Sequence, residues 1–219
     1  MSLFFVSVLS ACTILLPFSV SIIRWDRVRH TYLPLMLLFC VGILNEIISY
    51  FFIRYRSTNN INGNLYVLID FLLVLWLFKK LSVTLSKRFM KAILILGSIV
   101  WVLDNFIINT PATNNSLFRM VASLFIVIIT TDKLNQLFFL NRPYLNRNTD
   151  LLLCIGILSY YAYKAFVEAF NVFPMPIDRS YFYSGLWVIL GIINIVMNLL
   201  FTAAILCIPP KQAFIIRLS

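Results

Sequence analysis

Long apolar runs alternate with short polar breaks along the whole chain. Seven runs come close to or exceed the roughly 20 mostly apolar residues that an α-helix needs to cross a bilayer. They cover 3–23, 32–54, 64–81, 90–110, 116–136, 150–173 and 181–208. The breaks carry turn formers and charge: "RWDRVRH", "RYRSTNNINGN", "KKLSVTLSKR", "TPATNNS", "NRPYLNRNT" and "PMPIDRS", with "PPK" closing the last run. Polar and apolar positions do not alternate within the runs, as the strands of a membrane barrel would require. In hydrocarbon each backbone amide must be satisfied inside its own segment, so every run is expected to be helical. The fifth run is the most interrupted, by Thr130, Thr131, Asp132, Lys133 and Asn135, and its end is expected to leave the bilayer as helix. The expected fold is all-α: an integral membrane protein, a seven-transmembrane-helix bundle forming one domain over residues 1–219.

Composition agrees with this pattern. The chain is 61% hydrophobic and 12% charged, whereas soluble domains average about 45–50% and about 25%. A soluble surface could not hide so much apolar side chain. "VLSAC" before Cys12 has the shape of a lipoprotein cleavage box. However, Met1 to Leu9 contains no Lys or Arg, and the apolar run continues to Ile23, so an uncleaved first span is expected.

The net charge of +10 has a topological explanation. Thirteen basic residues fall on one set of alternate breaks and the tail: Arg24, Arg27, Arg29, Lys79, Lys80, Lys87, Arg88, Lys91, Lys133, Arg142, Arg147, Lys211 and Arg217. Only Arg54, Arg56 and Arg179 fall on the other. Cytoplasmic loops are the basic ones, which puts the N-terminus outside and the C-terminus in the cytoplasm of a multi-pass plasma (inner) membrane protein. Nucleic acid is not needed to explain the charge, and none is expected as a partner. Cys12, Cys40, Cys154 and Cys207 all lie in apolar runs and read as small fillers. His30 is the only histidine, so no imidazole-based zinc site is available. There is no phosphate-cradling Gly loop and no GxSxG elbow. No metal or cofactor is expected.

The chemistry lies in the ionisable residues inside the runs: Glu46, Asp70, Asp104, Arg119, Lys164 and Glu168. A charge at mid-bilayer costs about 2.5–3.5 kcal/mol on insertion scales and is functional by default. Four acids and two bases are placed most economically if they face inward around one hydrated cavity. Helical spacing supports such faces: Gly42, Asn45, Glu46 and Ser49; Gly97, Trp101, Asp104 and Asn105; Tyr160, Tyr161, Lys164 and Glu168; Gly191, Asn194, Asn198 and Thr202. The candidate ligand contacts are Glu46, Asp70, Asp104, Asn105, Arg119, Lys164, Glu168, Asn194 and Asn198. Each has a plainer alternative. Arg119 would snorkel to headgroups. Asp70 would sit near the interface. Lys164 and Glu168, four apart, would form a local pair. Asn194 and Asn198 would hold helices together.

At "LNEIIS", "NGNLYVLIDFLLVLWLFKK" and "IINIVMNLLFTAAILCI" the chain resembles small seven-span membrane proteins of Bacteroidota-type bacteria and the seven-span sensor modules fused ahead of bacterial histidine kinases. The resemblance implies a sensor or accessory protein. No kinase follows Ser219, so such a module would act through a separate cytoplasmic partner at its basic loops. Accessory or effector proteins of bacterial defence systems are a second setting. The first expectation is therefore a membrane sensor or accessory protein whose outward polar cavity binds a small or lipid-like ligand, with self-association open. A proton- or cation-coupled transporter, channel or pore is the alternative, and a membrane enzyme using paired carboxylates ranks third.

Overall fold

The computed structural model describes residues 3–56, 58–81, 86–140, 149–173 and 179–209. The basic residues Arg142, Arg147, Lys211 and Arg217 lie outside them. All described elements are helical. They are α1 (Leu3–Thr13), α2 (Leu15–Ile23), α3 (Trp25–Val28), α4 (Leu33–Arg56), α5 (Asn60–Lys80), α6 (Lys87–Leu103) with a π-helical turn Asp104–Ile108, α7 (Ser116–Leu140), α8 (Thr149–Val172) and α9 (Arg179–Cys207). Six segments are long and apolar enough to cross a membrane: Phe5–Ile23, Leu33–Tyr55, Asn60–Lys80, Arg88–Ile108, Thr149–Val172 and Ser184–Cys207. Helix α7, which carries Arg119, Asp132 and Lys133, is not one of the six.

The helices close into a ring. α9 packs on α8, α1 and α2; α8 on α7; α7 on α5; α5 on α4; and α4 on α2. α6 lies outside this ring, against α5 and α7. Large apolar side chains face outward along most helices, as Ile23, Ile53, Phe106 and Ile107 do. Such a surface suits lipid and not water. The inside is packed by fully buried Phe39, Phe71, Phe78, Phe118 and Phe201.

Three local features place the polar residues. First, Pro17 has no N–H to continue the helical ladder, and the first segment breaks at Ile14 between α1 and α2. Second, α5 begins at Asn60, four residues earlier than the apolar pattern predicts. The "NINGN" stretch reads as a turn, but its amides are taken up by tertiary partners. Asn62 donates to Asn45 Oδ1 at 2.9 Å and Ser49 Oγ at 3.1 Å. Asn64 donates to the Pro111 and Thr113 carbonyls at 3.1 and 2.8 Å. The longer helix moves Asp70 to mid-length, away from the end. Third, small residues permit close approach. A Cβ on Gly97 would lie 2.6 Å from the buried Phe71 ring, and one on Gly191 would lie 2.7 Å from Val6.

Polar networks join the helices at both ends. At the basic end, Arg24 donates to the Ile205 and Leu206 carbonyls at 3.1 and 2.5 Å, and Arg27 to the Ile208 carbonyl at 3.2 Å. Two guanidinium groups thus occupy the C-terminus of α9, where both the free carbonyls and the helix dipole favour them. Nearby, Lys133 Nζ donates to the Leu81 carbonyl at 2.6 Å and lies 3.7 Å from Asp150. The Tyr32 hydroxyl donates to Asp150 at 2.7 Å. Burial first, and then the Asp150 carboxylate, hold that hydroxyl above its ordinary pKa. The network joins the start of α4, the end of α5, α7 and the start of α8.

Gly97→Val should lower stability in detergent by about 1–3 kcal/mol, the usual range for overpacking. Gly185→Ala, where an added methyl meets open space, should leave the melting temperature within a degree or two, as is usual for exposed substitutions. Thermal unfolding of the two purified variants checks this.

Candidate functional site

Inside the ring, α1, Ile14 at the break after it, α4, α5, α8 and α9 enclose a cavity of about 140 Å³. Its two ends differ. Toward the basic end it is apolar, with Leu35, Phe39, Val74, Leu77, Ile157 and Phe201 on its wall. The Phe39 and Phe201 rings close this end with centroids 5.8 Å apart. Toward the middle of the helices it is polar, with Glu46, Tyr66, Asp70, Tyr160 and Tyr161. Ser10, Asn194 and Asn198 complete the side formed by α1 and α9.

Asp70 is buried and engaged through one carboxylate oxygen. Tyr161 donates to its Oδ2 at 2.7 Å, and Lys164 Nζ lies 4.0 Å from the same atom. Lys164 also sits over the Tyr160 and Tyr161 rings, 5.6 and 5.4 Å from their centroids. This cation–π arrangement is worth most where water is excluded. One turn further along α8, Glu168 takes a different base. Arg119 Nη1 lies 4.0 Å from its Oε1, and Asn171 donates to its Oε2 at 3.0 Å. Lys164 and Glu168 therefore pair across helices, with α5 and α7, and not with each other. Arg119 is held further by Asn64 Oδ1 at 3.1 Å, so it turns inward and does not snorkel. Its Nε is buried without a hydrogen-bond partner among the described residues.

Asp104 has a separate role. Its Oδ2 accepts the Phe118 amide N–H at 2.7 Å, and its Oδ1 accepts from Asn109 at 2.8 Å. The first amides of a helix have no intrahelical acceptor, and its dipole attracts negative charge there. Asp104 caps α7. The π-helical turn makes this possible: the Asn109 amide reaches back to the Asp104 carbonyl at 3.1 Å, and the extra residue in the turn leaves both Asp104 and Asn105 buried. The Asn105 and Asn115 amides meet at 2.6 Å in the same knot.

Of the nine expected contacts, Glu46, Asp70, Asn194 and Asn198 line the cavity. Lys164 stands beside it through Asp70. Arg119 and Glu168 form the adjoining pair. Asp104 and Asn105 belong to the cap of α7. The asparagines on α9 do hold helices together: Asn194 donates to Ser10 Oγ at 2.7 Å and Asn198 to Thr13 Oγ1 at 3.0 Å. The residues not expected are Tyr66 and Ser10, whereas Tyr160 and Tyr161, expected on an inward face, do line the cavity. Spacing carried a signal for the tyrosines, since Tyr66 precedes Asp70, and Tyr160 precedes Lys164, by one helical turn.

Among the described residues no group of three or more His, Cys, Asp or Glu side chains could hold a metal ion. No family model, curated protein or solved structure matches the chain. The site stands on its own geometry.

Asp104→Ala should cost about 1–3 kcal/mol, because it leaves the buried Phe118 amide without an acceptor. It should leave any ligand-induced stabilisation at the cavity unchanged. Unfolding in detergent with and without ligand measures both effects.

Proposed function

We propose that the chain is a seven-span membrane sensor or accessory protein that binds a small amphiphile in its central cavity and passes the change to a cytoplasmic partner. In this reading α7 is the seventh span. Its support is that it runs between the same two polar end networks as its neighbours. It meets Asp104 and Asn64 at one end, and Leu81 and Asp150 at the other. The excess of Lys and Arg around Arg24, Lys80, Arg88 and Lys133 supports a cytoplasmic location for that end in a plasma membrane, with the N-terminus outside.

The observation that carries the proposal is the two-ended cavity. An apolar wall beside convergent carboxyl and phenol groups is the usual make-up of a small-molecule site. An apolar cavity of about 150 Å³ is enough to take up benzene, so 140 Å³ suits one ring or a short chain with a polar head. The coupling follows from shared helices. α4, α5 and α8 wall the cavity, and the same three meet α7 in the Tyr32–Asp150–Lys133–Leu81 network at the basic end. A ligand that spreads these helices would loosen that network and change the surface presented by the basic loops.

One observation favours a second reading, as a cation-coupled transporter. The Asp70–Lys164 and Arg119–Glu168 pairs form a ladder of charge along α8, leading from the cavity toward the end opposite the basic loops. Charged chains of this kind mark ion pathways in membranes.

A panel of small amphiphiles should contain members that raise the melting temperature of the purified protein. Ala11→Phe, which fills the cavity from α1, should abolish those shifts while the protein remains folded. If no member of the panel shifts the native protein, or if the shifts survive Ala11→Phe, the cavity is not the site. Ligand-dependent cation flux in liposomes would select the transporter over the sensor.

A further inference from the structure

Three polar groups at the cavity have no protein partner among the described residues. The Glu46 carboxylate makes no hydrogen bond or ion pair among the described residues, and neither the Tyr66 nor the Tyr160 hydroxyl makes a hydrogen bond there. All three residues line the cavity. They are also neighbours: Tyr66 lies within electrostatic reach of Asp70, Tyr160 and Glu46. The other acids nearby are matched. Asp70 has Lys164 and Tyr161, and Glu168 has Arg119 and Asn171. With those pairs cancelled, the cavity is left with the one carboxylate of Glu46.

The position of Glu46 sharpens the point. It falls near the middle of the span Leu33–Tyr55, at the edge of the cavity, and it is exposed there. Exposure at that depth means facing hydrocarbon, where an isolated charge is costly. A cation arriving from the bilayer would remove the cost. The apolar wall of Leu35, Phe39, Val74 and Phe201 is ready to take the rest of such a molecule.

We infer that the cavity binds a small amphiphilic amine, with its ammonium on Glu46 and its ring or short alkyl group against Phe39 and Phe201. This rests on the cavity being the ligand site and specifies the class of ligand. The Tyr66 and Tyr160 hydroxyls accept the remaining ammonium hydrogens, and their rings add aromatic faces of the kind that favour cations. The amine reaches Glu46 from the side, out of the bilayer. Anions of the same size are refused, because they would meet the Glu46 carboxylate.

Three probes of one shape separate the possibilities: benzylamine, protonated at neutral pH, benzyl alcohol and benzoate. Each is titrated into the detergent-purified protein at neutral pH while the melting temperature is followed. Benzylamine should half-saturate its shift at a concentration about tenfold or more below that of benzyl alcohol, the weight of one charge-assisted hydrogen bond. Benzoate should give no shift. Glu46→Gln should bring benzylamine to the level of benzyl alcohol and leave the alcohol unchanged. Tyr160→Phe should weaken benzylamine alone. Glu46 makes no contact that the fold depends on, so its variant should melt like the native protein. Equal binding of amine and alcohol, or an amine preference that survives Glu46→Gln, overturns the amine assignment while the cavity reading stands. Failure of all three probes to shift the melting temperature overturns both.

Discussion

A charge inside a bilayer must meet an opposite charge or a set of hydrogen-bond donors, and most of this structure follows from that constraint. Each buried acid finds a different solution. Asp70 shares Lys164 with a tyrosine hydroxyl, Glu168 takes Arg119, and Asp104 takes the first amides of a helix. None of these partners lies on the helix that carries the acid, except for Asn171 beside Glu168 and Asn109, just past the π-helical turn that holds Asp104. The pairs therefore fix which helices are neighbours and in what rotation. Interhelical polar contacts are modest singly, but the alternative is an unsatisfied group in hydrocarbon. The ring of helices around the cavity is the packing that satisfies these demands together.

The cavity is what remains where the pairing stops. α1 and α9 are joined through Ser10 and Thr13, and α5 and α8 through Asp70. α4 contributes Glu46 and Gly42 to the space between them, with no matching partner for its carboxylate among the described residues. One wall is therefore polar and incomplete, while Phe39 and Phe201 close the far end. On the proposed reading, such a cavity would select a ligand by both size and sign of charge.

Although α7 does not qualify as a seventh, six candidate spans were legible in the sequence because a bilayer imposes a length, and apolar runs of that length are hard to miss. Their polar ends were not. "NINGN" has the composition of a turn, yet it winds into α5 because Asn45, Ser49 and the 111–113 loop take its amides, and no local rule contains those partners. Asp104 reads as a ligand contact when α6 is viewed alone. Its role as a cap becomes visible only when the chain returns through residues 110–115 and offers it the start of α7. Lys164 and Glu168 look like a pair on one helix, but the bases and acids of α5 and α7 are closer in space than in sequence. Glu46 and Asp70, flagged because they interrupt apolar runs, do line the cavity. Tyr160 and Tyr161 were legible as part of an inward face, but Tyr66 was not, because an aromatic in a membrane helix is ordinary until its neighbours are known.

The hydroxyl–amide pairs between α1 and α9 have a consequence for how the protein is made. They connect residues 184 and 185 positions apart. At roughly 5–20 residues per second, the first helix waits on the order of 10–40 s in the bilayer before its partner emerges from the ribosome. During that interval Ser10, Thr13 and the proline break face lipid, or whatever insertion factor shields them. The bundle cannot close until α9 has been made, so truncation within α9 should leave an open sheaf of helices exposed to membrane quality-control proteases.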